Sequence, residues 1–444
     1  MTMRGAAGAD EHLIFERRES AVRSYCRRFD RVFDTAEGSV VRDVTGREYL
    51  DFVAGAGSLN YGHNDPDMRD ALIRHLEQRG MSHCLDLSSS TKSAFLAAFE
   101  SIVLLPRELD YRVQFTGPTG ANAVEAALKL VRKVTGRTNV VAFTNAFHGV
   151  SLGALAATGN RHHRIGPQLP LPGVTRMPYD GYQGPGVDTA DLLERMLRDP
   201  SSGMDAPAAI LLETVQGEGG LNVASAGWLR RIAELARDSG ALLVVDDVQA
   251  GCGRTGTFFS FEPYGIVPDL VVLSKSISGA GLPMALLLIR PEYDVWQPGE
   301  HNGTFRGNAH AFVTARVALT KFWTGTGFTA EVARRADLLA RRLADVADVV
   351  PGAVVKGRGM MCGVDVGSGE LASAISLRCF ADGLMLETAG PYDEVVKVLA
   401  PLTTPDELLD AGLDILLAAA RAVQAGPDVG PERDRRDSSG LVPA

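Results

Sequence analysis

The sequence lacks any long apolar run: its most continuous ones, such as Ala208 to Leu212 and Ala241 to Val245, fall far short of the ~20 residues of a membrane-crossing helix. A soluble protein is expected. No long basic run is present either, and 54 acidic against 45 basic side chains leave a net charge of −9. Nucleic acid and anionic membrane are therefore poor partners, and small metabolites better ones. Cysteine is scarce. The five, Cys26, Cys84, Cys252, Cys362 and Cys379, are odd in number and form no CxxC pair. A disulfide framework and a zinc knuckle are thus disfavoured, no metal is expected, and a reducing cytoplasm fits. The first thirty residues, rich in Arg, Glu and Asp, lack the apolar core of a signal peptide.

What is present is ordinary globular material. At 444 residues, 45% hydrophobic and 22% charged, the chain can build a large core or two adjoining domains. A turn at Asp43 to Gly46 between short apolar pieces predicts a hairpin over about 40–53, and the glycine-rich run from Gly55 to His63 predicts a loop. Ala123, Val124, Ala127, Leu128 and Val131 share one helical face. Asn139 to Phe143, Ala208 to Leu212, Leu242 to Val245 and Leu270 to Leu273 read as strands buried on both faces. Their alternation predicts an α/β fold with helices on both sides of a mostly parallel sheet. Helices are predicted over about 309–324 and 330–346, followed by strands near 354–356 and 361–366 and further helix, strand and helix to about Val423. The organisation expected is an N-terminal segment, 1–60, contributing to a small domain, a large domain over 61–327, a small α+β domain over 328–425, and a disordered tail over 426–444, which mixes charge, Pro and Gly.

The chemistry centres on two strand tips. Lys275 ends the run Leu270 to Ser274, and Asp246 ends another inside VVDDVQAGCGRTG. An amine and a carboxylate at neighbouring tips can form the two poles of a pyridoxal phosphate site, the amine as Schiff base and the acid on the ring nitrogen. Each has an everyday alternative: such acids commonly cap helices, and such lysines are commonly solvated. Val248 and Gln249 follow Asp246 as a contact to a ring face and a partner for a ring hydroxyl, or as plain packing and a solvated amide. Thr116-Gly117-Pro118-Thr119-Gly120-Ala121-Asn122 leads into the amphipathic helix, where free N–H groups can bind a phosphate. Phe147 follows a strand and could stack on a flat cofactor or fill core. Glu213 and Glu218, at and beyond the end of Ala208 to Leu212, could orient a lysine or meet a substrate ammonium.

Together these stretches resemble the class III, fold type I aminotransferases that use pyridoxal 5'-phosphate, over roughly residues 40–420. FTGPTGANAVEAALKLVRK, NAFHGVSLGALAATGN, GEHNGTFRGN and LNYGHNDP are most similar to diaminobutyrate:2-oxoglutarate aminotransferases. The resemblance implies that Lys275 binds the cofactor aldehyde, Asp246 holds the pyridinium proton, and Gln249 meets the ring hydroxyl. It further implies that Gly120 and Ala121 bind the phosphate, Phe147 and Val248 flank the ring, and Thr304 reaches the phosphate of a neighbouring subunit in a homodimer or larger homo-oligomer. Two positions depart from many relatives: Asn122 stands in place of Glu, and Lys397 in place of an Arg that pairs with, or is released from, the loop glutamate, here Glu218. Lysine keeps the charge but loses the bidentate fork. The activity implied is transfer of an amino group from L-glutamate to the aldehyde of L-aspartate 4-semialdehyde. Another ω-amine transaminase, or an aminomutase on the same cofactor, would keep the same Lys275 and Asp246.

Overall fold

The computed structural model describes residues 7–165 and 170–425; the tail expected to be disordered, 426–444, lies outside the described residues. In chain order the strands are β1 (Phe33–Glu37), β2 (Val40–Asp43), β3 (Glu48–Asp51), β4 (Arg112–Phe115), β5 (Val140–Phe143), β6 (Val174–Met177), β7 (Ala209–Leu212), β8 (Val215–Gln216), β9 (Asn222–Val223), β10 (Leu242–Asp246), β11 (Leu270–Leu273), β12 (Leu286–Ile289), β13 (Val354–Arg358), β14 (Met361–Asp365), β15 (Leu384–Met385), β16 (Glu387–Ala389) and β17 (Val395–Val398). Seven of them form the main sheet in the order β4-β12-β11-β10-β7-β5-β6. Only β12 runs against its neighbours β11 and β4. The other pairings, β11 to β10, β10 to β7, β7 to β5 and β5 to β6, are parallel.

The apolar runs in the sequence come from burial on two faces. Val141, Phe143, Ile210, Leu212, Leu243, Val245, Val271 and Leu273 pack into one core cluster with Trp228 and Phe258. The alternate residues Val140, Ala142, Ala209, Leu211, Leu242, Val244, Leu270 and Val272 pack into another, beneath Ala123, Val124, Ala127, Leu128 and Val131 of the helix Gly120–Thr135. Side chains two apart share a face, so Asp246 emerges on the side covered by that helix.

The predicted hairpin is β2 and β3, paired antiparallel. It belongs to a second sheet, β1-β2-β3-β15, which recruits Leu384–Met385 from near the other end of the chain. A third sheet, β13-β14-β17-β16, packs on the helices Gly327–Val349, Gly369–Ala381 and Asp406–Gln424. Arg254 ties these layers together: fully buried, it donates to Asn60 Oδ1 at 3.1 and 2.6 Å and to the carbonyls of Met360 at 3.1 Å and Ala400 at 2.6 Å. Burial with no carboxylate against it pushes that guanidinium down to about 9.

Candidate active site

β10 and β11 are parallel neighbours, with Asp246 opposite Val272. Lys275 leaves the sheet three residues later, at the same carboxyl edge where open α/β sheets place their ligand crevice. Asp246 is buried, and its Oδ2 lies 2.8 Å from His148 Nδ1, while its Oδ1 accepts from Val248 N at 3.2 Å. Burial pushes the His148 imidazole down, but the bond to Asp246 and the charges of Asp246 and Glu213 outweigh it and raise it. The pair therefore favours a charged imidazolium against the Asp246 side chain.

Lys275 opens a short 3-10 turn, Lys275–Ser278, in a left-handed backbone conformation at φ 53°. For a non-glycine residue that is strained backbone, of the kind that gathers at functional sites. Its Nζ donates to the carbonyl of Ala56 at 2.7 Å. Desolvation lowers the amine, against the opposing pull of Glu218 and Glu387 and with the help of Lys397. A less protonated amine is a better nucleophile toward an aldehyde.

The loop that receives Lys275 is itself unusual. Ala54, Gly55, Ala56 and Gly57 all have positive φ, 46°, 57°, 56° and 84°, so two alanines take a conformation that ordinarily favours glycine. The turn aims one carbonyl, Ala56, at both Lys275 Nζ and Gln249 Nε2, the latter at 3.1 Å. Gln249 also donates to Glu218 Oε1 at 3.1 Å, and its own Oε1 is buried without a partner. Glycine at 217 leaves this amide its place: a Cβ there would lie 1.9 Å from Gln249 Oε1 and push the side chain aside.

The helix Gly120–Thr135 starts with a reciprocal cap in which Thr119 and Asn122 satisfy each other. This is the local work of Asn122. It leaves the N–H groups of Gly120 and Ala121 in the first turn, where no intrahelical acceptor exists. Gly120 is also where three elements meet: a Cβ there would lie 3.0 and 3.1 Å from the Val248 methyls and 3.6 Å from Ser274 Cβ. The anion-ready helix end thus leaves no more than the space of one Cβ between itself, the residue two past Asp246 and the one before Lys275.

Phe147 stands at the same edge, its ring edge-on to His163 at 5.3 Å between centroids. Its N–H donates to Glu213 Oε1 at 3.0 Å, and Glu213 Oε2 accepts from Gly217 N at 3.1 Å. Both oxygens of Glu213 are thereby held by backbone, and burial keeps its carboxyl above the ordinary range. Glu213 is buried and brackets the Phe147 and Gly217 loops together.

Glu218 and Lys397 do meet, Oε1 to Nζ at 2.9 Å. Lys397 is fully buried and has a second acid at 2.8 Å, Glu387 Oε1, which faces it directly across β16 and β17. Burial works against the Lys397 charge, but the two carboxylates raise it; burial works against Glu218, but Lys397 and Lys275 hold it low. Glu387 Oε2 accepts from Tyr25 OH at 3.0 Å. Thr304 is not gathered into this group: it is exposed, in the turn Thr304–Arg306.

Three participants escaped the sequence reading. His148 sat inside a quoted motif, but nothing linear placed it against an acid 98 residues later. The Ala56 carbonyl carries no side-chain signal at all. Glu387 had one, a lone acid directly after the apolar run Leu384 to Leu386.

The family model described as Aminotransferase class-III matches residues 23–420. A diaminobutyrate--2-oxoglutarate transaminase of Vibrio parahaemolyticus is 55% identical over 93% of this chain and 98% of its own length. One from Nocardia farcinica is 53% identical over 93% of this chain and 95% of its own. Among solved structures, an ornithine aminotransferase from Toxoplasma gondii, reported with partial occupancy of PLP at its active site, superposes with a TM-score of 0.79 at 26% identity, covering 94% of this chain and 95% of that one. A Bacillus anthracis aminotransferase with a TM-score of 0.82 at 22% identity, covering 93% and 98%, shares the fold. With a family match across most of its length and relatives above half identity, this chain belongs to the class III aminotransferases.

Proposed function

We propose that this aminotransferase uses pyridoxal 5'-phosphate to move an amino group from L-glutamate to the aldehyde of L-aspartate 4-semialdehyde, giving L-2,4-diaminobutyrate and 2-oxoglutarate in the cytoplasm. The observation that carries the reading is the meeting at Gly120: helix start, acid strand and lysine strand converge so closely that one Cβ added at Gly120 would contact both of the others. The names of the relatives support the substrate pair.

The residues present fit the cofactor. The buried, unpartnered Gln249 Oε1 offers an acceptor to a ring hydroxyl. The free N–H groups of Gly120 and Ala121 offer a cradle for a phosphate, and Asp246 offers a carboxylate held by His148. When bound, the cofactor supplies an aldehyde for amine exchange and a ring that takes up electron density from the substrate carbon. Lys275 would hold that aldehyde, and its Nζ, once free, would carry the proton to and from the substrate carbon. Asp246 would keep a proton on the ring nitrogen. Phe147 and Val248 would flank the ring. Glu218 and Lys397 face the substrate's carboxylate and ammonium groups, and Glu213 positions the loops behind them. Thr304, exposed on its turn, reaches the phosphate across a homodimer or higher homo-oligomer. The large domain, 61–327, carries the sheet edge, and the N-terminal segment contributes to the small domain, 328–425.

Initial rates with glutamate and aspartate 4-semialdehyde should follow ping-pong kinetics, with one 2-oxoglutarate released per diaminobutyrate formed. Intersecting sequential patterns, or amine formed without 2-oxoglutarate as an aminomutase would do, would sink the assignment.

A further inference from the structure

The turn that carries Thr304 has no apolar core beneath it. Thr304 is exposed and Phe305 beside it is 67% exposed, so burial does not fix the turn's shape. Polar ties do, from two directions. On one side Glu300, four residues earlier, forms an ion pair through Oε2 with Lys133 Nζ, and its carbonyl accepts from Lys129 Nζ. Glu300 Oε2 also accepts from Gln297 N at 2.9 Å, which closes the loop on itself. The Gln297 N–H and the Lys133 ammonium hold that carboxyl below the usual carboxylate range. On the other side Arg306 pairs with Asp86, and Cys84 N donates to the carbonyl of Gly307 at 2.8 Å. A Cβ at 307 would lie 2.1 Å from the Leu85 carbonyl oxygen, so these two segments lie against each other with no room for a side chain.

Lys129 and Lys133 stand one turn apart on the helix Gly120–Thr135. Both ammonium groups also lie over the Trp296 ring, at 5.5 and 5.8 Å from its centroid. Trp296 is itself held to β4, at the edge of the main sheet, by a hydrogen bond from its Nε1 to Gln114 Oε1 at 3.0 Å. One helix therefore does two things. Its first turn offers N–H groups to a phosphate, and its surface, roughly 14 to 20 Å further along at ~1.5 Å per residue, grips the loop that leads to Thr304. A free turn loses conformational entropy when it closes on a ligand. A turn gripped beforehand has little left to lose.

We propose that Glu300, with Lys129 and Lys133, is a positioning device that preorders the turn carrying Thr304, so that each subunit's cofactor phosphate is held in part by a clamp built on the partner's phosphate-binding helix. This deepens the proposed function and rests on its reading of Thr304 as a contact to the neighbouring subunit. In a two-fold dimer the arrangement is reciprocal. A broken clamp is then felt in the partner's site and not in its own.

The test follows release of pyridoxal 5'-phosphate from the holoenzyme on dilution, read as loss of the absorbance of the bound form. Glu300→Ala should speed release roughly fivefold, the upper end for a surface ion pair. Lys133→Met should act in the same direction, and Lys133→Arg should restore the wild-type rate. Thr304→Ala should also speed release, and the double variant Thr304→Ala/Glu300→Ala should release no faster than Thr304→Ala alone, because the clamp acts through that hydroxyl. Additive losses would mark Glu300 as merely structural and overturn the inference. So would a Glu300→Ala enzyme that releases at the wild-type rate. Hybrid dimers then locate the effect: one subunit carries Lys275→Ala, which borohydride cannot trap, and the other keeps Lys275. Glu300→Ala on the untrappable subunit should speed loss from the trappable one, and the same change on the trappable subunit should leave its own label unchanged. The reverse pattern overturns the inference. Failure of the underlying reading is separable: if Thr304→Ala releases like wild type, the role of Thr304 falls and the clamp with it, whereas a fast Thr304→Ala beside an unaffected Glu300→Ala sinks the clamp alone.

Discussion

The two halves of the site are built differently. The Asp246 and Lys275 half sits on adjacent strand tips of one sheet, and each group is placed by the strand behind it. The Glu218, Lys397 and Glu387 half is assembled from a loop and from two strands of another sheet, with Tyr25 added from the N-terminal segment. The first half is rigid because four fully buried residues of β11 lead into Lys275. The second depends on how two layers are held against each other, Arg254 being one of the ties. Chemistry common to any amine substrate suits the first half, and discrimination between substrates suits the second.

The sharpest way to break this contrast is at Lys275. Lys275→Ala should lower kcat by about 10^3-fold or more, since it removes the proton carrier, and borohydride treatment of the cofactor-loaded wild type should add the pyridoxyl mass to the peptide containing Lys275. Next comes Asp246→Asn, which should lower kcat about 10^2 to 10^3-fold while leaving KM for glutamate within a few fold, the pattern of a group acting on developing charge. In the other half, Lys397→Met should act on stability: the buried Glu387 and the partly exposed Glu218 lose their shared cation, and denaturant titration should show a loss of ~3 kcal/mol, nearly all of it from Glu387. A midpoint like that of wild type would mean the cluster is solvated and the contrast false.

The smallest effect is expected at His148, a positioning residue. His148→Gln should lower kcat about tenfold through the lost charge on Asp246. Its pH signature is distinct. The imidazole is raised above its ordinary value of 6.5 in the folded protein, so its stabilisation is complete below 6.5 and fades as pH climbs through the raised value. The stability difference between wild type and His148→Gln should therefore shrink as pH rises above 6.5 through the raised value. A difference that grows over that range would contradict a charged imidazolium on Asp246.

Much of the first half was legible before any coordinates. Leu270 to Leu273 and Leu242 to Val245 announced buried strands because burial on both faces removes alternation, and the polar residue that ends such a run stands at a sheet edge. The start of the helix at Gly120 was legible for a similar local reason, its cap and apolar face lying within a few residues of each other. Glu213 shows where linear reading stops. Its position at a strand end was foreseen, but whether its oxygens faced substrate or backbone depended on Phe147 and Gly217 folding back to claim them.

The sequence by itself determined which groups could do chemistry and which strands would present them, because periodicity and strand-end polarity are written in consecutive residues. Only the tertiary structure decided their partners. His148 on Asp246 and Ala56 facing Lys275 join residues far apart in the chain, and pairing over such separations is fixed by the packing of whole layers, which no local pattern encodes.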